Sequence, residues 1–311
     1  MAGTKVAELV ASLRLDAKNF SSALKESESK LTKFGTSAQK AGTKMTMALT
    51  LPIAGAAAGA IKAASDFETS MTKIQSMVGL SAETVKGFEQ DVLRLSGETA
   101  QAPKELADAM FFITSAGLRG ATAVQALEAS AKAAAIGMGD AEVVADAVTN
   151  AINGYGAANI TAAEATDILA KTVEQGKASA EDLAPQFGRL IPMAAELGIS
   201  FDQVGGGLAF LTRASGNASQ STSSLRGILR TLIKPSQMAR QTLEDVGLSV
   251  EDLRSAADDD LLGALVNMRT QLEANGKEMG AVFEDSEALA GALQLTGTAA
   301  AEAAGVMDEM T

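Results

Sequence analysis

The 311-residue chain has no cysteine, no histidine, no tryptophan, a single tyrosine and five prolines. Without cysteine there is no disulfide, no thiolate metal site and no cysteine nucleophile, and thiol usage says nothing of compartment. Without histidine the commonest general base and the commonest transition-metal ligand are missing as well. Catalysis would fall to carboxylates, lysines, hydroxyls or Tyr155, and no cofactor is expected. Aromatic residues make up 4%, so a core must rest on Leu, Ile, Val and Met, with helices approaching closely through Ala, Gly, Ser and Thr. An alanine-rich, proline-poor chain favours helix, and no stretch shows the β-branched alternation bounded by turns that a sheet needs. The expected fold class is all-α: a long amino-terminal amphipathic or coiled-coil helix followed by a body of many short, Gly-capped helices.

The helical arm is the first feature that is present. Val6, Val10, Leu13, Phe20, Leu24, Leu31, Phe34 and Met45 fall in a heptad register, with small residues Ala17, Ser27, Ala38 and Ala41 filling the gaps. A 3.5-residue apolar period keeps one seam facing a partner and imposes a left-handed supercoil. The small seam residues bury little, so the pattern predicts a loose or conditional homo-oligomeric coil; an ordinary surface helix fits it too. Asp16 could also cap a helix beginning at Ala17, leaving Val6 to Leu15 as a separate arm. Met1 to Asp16 lacks the apolar region of a secretory signal.

Next comes Met45 to Ile61, seventeen residues without a charge. Its length sits at the lower limit for a membrane span. Its composition is weaker, because Ala and Gly add little transfer energy and Pro52 would kink it. Gly55 and Gly59 form a small-xxx-small pair suited to close helix contact in a membrane or in a packed hairpin. Leu49, Leu51, Pro52, Ile53, Gly55, Gly59 and Ile61 are the candidate contact residues, for buried packing or for conditional insertion into a host membrane.

Charge is unevenly spread. Residues 1–45 hold eight Lys or Arg against four Asp or Glu, which leaves −16 of the net −12 for residues 46–311 once the arm's +4 is set aside. A body of that sign repels phosphate and argues against specific nucleic-acid binding.

From Lys62 onward Gly79, Gly97, Gly117, Gly137, Gly154, Gly176, Gly198 and Gly216 punctuate amphipathic runs, each placed to end a helix. Three joints share one pattern, Val78-Gly79-Leu80-Ser81, Leu197-Gly198-Ile199-Ser200 and Val246-Gly247-Leu248-Ser249, which predicts a glycine stop followed by a serine N-cap. Thr161 with Glu164 and Ser200 with Gln203 read as capping boxes, and Pro103 and Pro185 suit first helical turns. Apolar spacing marks buried faces, for example Val85, Phe88, Val92 and Leu95, or Leu225, Ile228 and Leu232. Ser215 to Ser224 reads as a flexible loop. The organisation expected is a basic arm at 1–45, an apolar Ala/Gly-rich segment at 46–64, a multi-helix core at 65–248 and an acidic Ala-rich helical tail at 249–311.

Motifs that carry chemistry are absent or broken. Gly176-Lys177 lacks the rest of a phosphate-binding loop, and Gly137-Met-Gly139 lacks the third glycine and the preceding strand of a dinucleotide site. Ser27 with Lys30 and Ser37 with Lys40 match a serine-lysine pattern on an exposed basic helix with no pocket. Asp258 to Asp260 suits a helix N-terminus better than a calcium loop.

Several fragments together, in order and spacing, carry a resemblance. They are Asp16, Phe20 and Leu24; Leu49-Thr-Leu-Pro-Ile53; Lys62 to Glu68; Ser115 to Leu118; Ala133 to Ala141; Asp167 to Ala170; Ala195 to Ser200; and Leu225 to Pro235 followed by Asp245 to Leu248. From near Leu13 to about Leu248 the chain resembles the core of phage tail tape measure proteins. The resemblance implies a non-enzymatic helical component of the virion tail lumen that templates the tail tube and sets its length. It also implies partners, namely the tail tube protein, tail assembly chaperones and tail-tip or baseplate proteins, and a part in genome delivery across the host inner membrane. A membrane-inserting pore former is the alternative that the charge-free segment leaves open. Fully helical, 311 residues reach about 470 Å at roughly 1.5 Å per residue.

Overall fold

A computed structural model describes residues 60–310. The seam residues Val6 to Met45 and the contact positions Leu49, Leu51, Pro52, Ile53, Gly55 and Gly59 lie outside the described residues. The chain divides into two units, residues 1–64 and 65–311, and the second carries the core.

Among the described residues the secondary structure is helical throughout. After α1 (60–77) come α2 (Ala82–Thr99), α3 (Pro103–Ser115), α4 (Gly120–Ala135), α5 (Ala141–Tyr155), α6 (Ala162–Gln175) and α7 (Ala180–Glu196). They are followed by α8 (Phe201–Ser215), α9 (Ala218–Ile233), α10 (Gln237–Asp245), α11 (Val250–Asp259), α12 (Leu261–Ala274), a 3-10 turn (Met279–Ala281), α13 (Ser286–Thr296) and α14 (Ala300–Asp308).

Local chemistry accounts for most boundaries. At Thr161 the capping box is complete: Glu164 N donates to Thr161 Oγ1 at 3.2 Å and Thr161 N donates to Glu164 Oε2 at 2.8 Å, satisfying two of the otherwise orphaned N–H groups. Asp260 caps α12, its Oδ1 accepting from Gly263 N at 2.9 Å. Gly198 and Gly247 both sit at φ +79°, a left-handed conformation that a Cβ would oppose. The bonds from Ile199 N to Ala194 O (3.0 Å) and from Leu248 N to Leu243 O (2.9 Å) then close the two helices.

Four expectations are corrected. Gly97 lies inside α2, and the left-handed residue that ends this helix is Ala100 at φ 57°. Gly154 lies inside α5, where its task is contact: a Cβ there would stand 2.1 Å from Ile191 Cγ2 on α7. Pro185 falls well inside α7, because Ser179 and Asp182 form a capping box that starts the helix earlier. Gln203 does not complete a box with Ser200; its amide nitrogen donates to Asp258 O at 3.1 Å and to Asp259 O at 3.2 Å, and its oxygen accepts from Leu261 N at 2.7 Å. A tertiary contact has taken the side chain that local capping would use.

The largest correction concerns the serine-rich passage. Asn217 caps α9 through Gln220 N at 2.9 Å, and Ser221, Thr222 and Ser224 are buried in the helix. Two of these hydroxyls bond within the protein: Thr222 Oγ1 donates to Ala218 O at 2.8 Å, and Ser221 Oγ lies 2.8 Å from Ser215 Oγ. The small side chains at Ser224 and Gly227 let α13 lie against α9. A Cβ on Gly291 would be 2.7 Å from Ser224 Cβ, and one on Gly227 would be 2.7 Å from Ala288 Cβ. Composition that suggests a loop is here the requirement for a close helix crossing.

The core runs from Met71 to Val306 as one apolar cluster. Helices α3, α4 and α5 pack on one another, α5 packs on α7, α7 on α9, and α9 on α13. Helix α8 touches α6 and α7 on one side and α9, α13 and α14 on the other. Several helix C-termini are capped by an arginine from elsewhere. Arg254 Nε donates to Leu232 O at the end of α9 (2.8 Å), Arg269 Nη1 to Thr296 O at the end of α13 (2.7 Å), and Arg213 Nε to Gln175 O at the end of α6. A cation at the negative end of a helix dipole, bonded to carbonyls that lack intrahelical partners, both satisfies and ties those ends. Among the described residues no buried side-chain nitrogen or oxygen lacks a hydrogen-bond partner.

Candidate functional site

Of the candidate residues named from sequence, only Ile61 falls among the described ones; it lies on α1 and is 72% exposed. Two concavities flank α6. The larger, about 850 Å³, lies against α5 and α8 and is lined by Tyr155, Glu164, Asp167, Lys171, Glu174 and Asp202 among others. The second, about 580 Å³, lies between α4 and α6 over Ala129, Ala133, Ala162 and Thr166, with Met138 and Ile136 in its lining. Ile136 is 78% exposed, so this groove presents apolar surface directly to solvent.

The chemistry of the larger cleft can be read group by group. Burial, with a smaller contribution from Asp202, pushes the Tyr155 phenol well above its usual range, and its hydroxyl donates to Ile199 O at 2.9 Å. It remains a protonated donor and is already engaged. Hydrogen bonds from the backbone and then the side chain of Thr161 hold Glu164 below the usual carboxylate range. Lys171 Nζ donates to Met310 O at 3.0 Å. These groups serve helix ends, and none forms the nucleophile-and-base pair within hydrogen-bond reach that covalent catalysis requires. Among the described residues no group of three or more His, Cys, Asp or Glu could hold a metal ion. What the two concavities offer is surface for recognition: one acidic, one apolar.

The motifs weighed from sequence find structural positions. Gly137 and Gly139 form the α4–α5 turn, where a Cβ on Gly139 would meet Glu181 Oε1 at 2.5 Å. Gly176 follows the last residue of α6, where a Cβ would lie 2.8 Å from Thr212 Oγ1. Among the described residues no helix is long and apolar enough to cross a membrane. The α4–α6 groove was not legible in the sequence, because its floor is alanine and its rim is a single exposed isoleucine.

Comparison with known proteins supplies what side-chain chemistry does not. No solved structure matches the chain. The tape measure protein of Pneumococcus phage Dp-1 is 26% identical over 254 residues, 78% of this chain and 22% of that protein. The probable tape measure protein of Clostridium phage phiCD119 is 24% identical over 260 residues, 79% of this chain and 27% of that protein. The chain therefore spans under a third of the length of these curated relatives. The profile of the phage-related minor tail protein family matches residues 89–279, a span that runs from α2 to the 3-10 turn. With well over half of its length matched in this way, the chain belongs to the phage-related minor tail protein family.

Proposed function

We propose that this chain acts as a tape measure protein of a phage tail, without catalysis, occupying the tube lumen while tube subunits assemble around it and contributing to the length at which assembly stops. The observation that carries this reading is that two relatives named as tape measure or probable tape measure proteins align with more than three quarters of the chain. The negative charge of residues 46–311 agrees with it, since a lumen component of the same sign as DNA does not retain passing phosphate. Its partners are then the tail tube protein, tail assembly chaperones and tail-tip proteins, and the heptad-patterned residues 6–45 associate copies with one another. Residues 45–61 are the segment through which it would aid genome delivery at the host inner membrane.

A ruler makes a quantitative demand. Each helical residue contributes about 1.5 Å, so removing four heptads in frame from residues 6–45 shortens the path by about 42 Å. Tails assembled on that variant and measured by electron microscopy should be shorter by this amount. Assembled tails of unchanged length would overturn the length-setting role.

A further inference from the structure

Helix α8 is held firmly at both ends and weak in the middle. Near its start, Gln203 bonds to Asp258 O, Asp259 O and Leu261 N at the α11–α12 junction. Near its end, Thr212 Oγ1 accepts from Lys177 N at 3.1 Å and Arg213 binds Gln175 at the end of α6. Between these anchors lie Gly205, Gly206 and Gly207, all buried. Each glycine weakens a helix interior about fivefold relative to alanine, so three in succession place the softest point of α8 between its two pegs.

Helix α14 covers that point. A Cβ on Gly206 would lie 3.2 Å from Met307 Cγ, 3.2 Å from Met310 Cγ and 3.3 Å from Met307 Cα, and a Cβ on Gly205 would lie 2.7 Å from Met310 Cε. The missing side chains are thus what lets α14 seat itself. This helix has nine residues and also touches α12 and α13. Beyond them, Lys171 Nζ of α6 donates to Met310 O, Gln175 of α6 bonds to Glu309, and Arg213 pairs with Glu302 at 3.3 Å. It therefore bridges α6 on one side and α12 and α13 on the other, across the glycine tract.

We propose that α14 is a releasable strap and that Gly205 to Gly207 is the hinge it holds shut, so that lifting α14 lets the two anchored ends of α8 move relative to one another. The proposal stands on packing alone and does not need the tape measure reading. A nine-residue helix that gives the core only Ala303 and Val306, and is otherwise held by exposed polar pairs together with Met307 and Met310, detaches at lower cost than a helix from the centre of the core.

Native-state hydrogen exchange of the full chain in low denaturant tests it. Amides of 300–308 and of 205–209 should open together, at denaturant concentrations where α5 (Ala141–Tyr155) remains closed. Glycine-tract amides that exchange only together with α5 would overturn the proposal. A second test uses Val306→Asp, which places a charge at a buried position of α14. Exchange at 205–209 should rise at least tenfold with α5 unchanged; no rise, or an equal rise in α5, would count against the strap. Adding Gly206→Ala to Val306→Asp should then restore protection at 205–209 about fivefold, the ratio of glycine to alanine in a helix. No restoration would rule out the glycine tract as the hinge.

Discussion

Replacing Gly227 by alanine tests whether close helix crossing, and not glycine's conformational freedom, explains the abundance of small residues. Gly227 lies in α9, and the added Cβ would stand 2.7 Å from Ala288 Cβ, 3.2 Å from Ala288 Cα and 3.3 Å from Ala288 N. Two of these neighbours are backbone, which no rotamer change can move, so relief requires α13 to retreat from α9. Reaching ordinary contact from 2.7 Å needs a displacement of roughly 0.7 Å, along an interface that includes Ser224 and Gly291. Overpacking of this kind costs about 1–3 kcal/mol, against an intrinsic helix gain of about 1 kcal/mol for alanine over glycine. The net expectation is a change between near zero and about 2 kcal/mol of destabilisation, or a fall in Tm of up to about 8 °C for a body of this size. Gly87→Ala is the control: Gly87 lies in α2 with nothing within 4 Å of the added carbon. That substitution should stabilise by about 0.5–1 kcal/mol. Thermal unfolding followed by circular dichroism at 222 nm measures both. The reasoning fails if Gly227→Ala is as stabilising as Gly87→Ala.

Other consequences can be measured on the same protein. Arg254→Ala strips hydrogen bonds from Leu232 O and Ile233 O, and bonds from a charged donor are worth about 1.5–3 kcal/mol. Glu251→Ala removes only the 3.8 Å surface pair with Arg254 and should cost less than about 0.5 kcal/mol by urea unfolding. Acid dependence should localise in part to Asp108. Burial pushes its carboxyl up, but hydrogen bonds from Lys104 and Ser70 outweigh this and hold it below the usual carboxylate range. A group depressed in the folded state stabilises above its unfolded value of about 3.9 and loses that contribution as pH falls through the folded value. The stability gap between the wild type and Asp108→Asn, measured by urea unfolding, should therefore be widest near pH 6 and narrow below about pH 4. A gap that is constant with pH would refute the assignment.

Much of the local architecture was legible in the chain because it is decided by interactions within one turn. The stops at Gly198 and Gly247, the box at Thr161 and Glu164, the cap at Asp260 and the apolar stripe of α2 all rest on residues three to six apart. All were readable without knowledge of the partner helix. Three of the errors share one cause, which is that a residue with a local use was taken up by a distant one, whereas Pro185 and Gly97 were overtaken by local signals, the Ser179–Asp182 box and a left-handed Ala100. Gln203 reaches the α11–α12 junction, Gly154 admits Ile191, and Ser224 makes room for α13.

Sequence by itself determined that the protein is all-α, lacks thiol and imidazole chemistry, and carries its motifs in the order seen in tail proteins. Propensity, capping and composition act on neighbours along the chain. Only tertiary structure decided which glycines end helices and which let helices touch, which arginine caps which carbonyl, and that α14 lies over the glycine tract of α8. Those outcomes depend on distances between residues far apart in sequence, where a single methyl group at 2.7 Å or at open space reverses the sign of the energy.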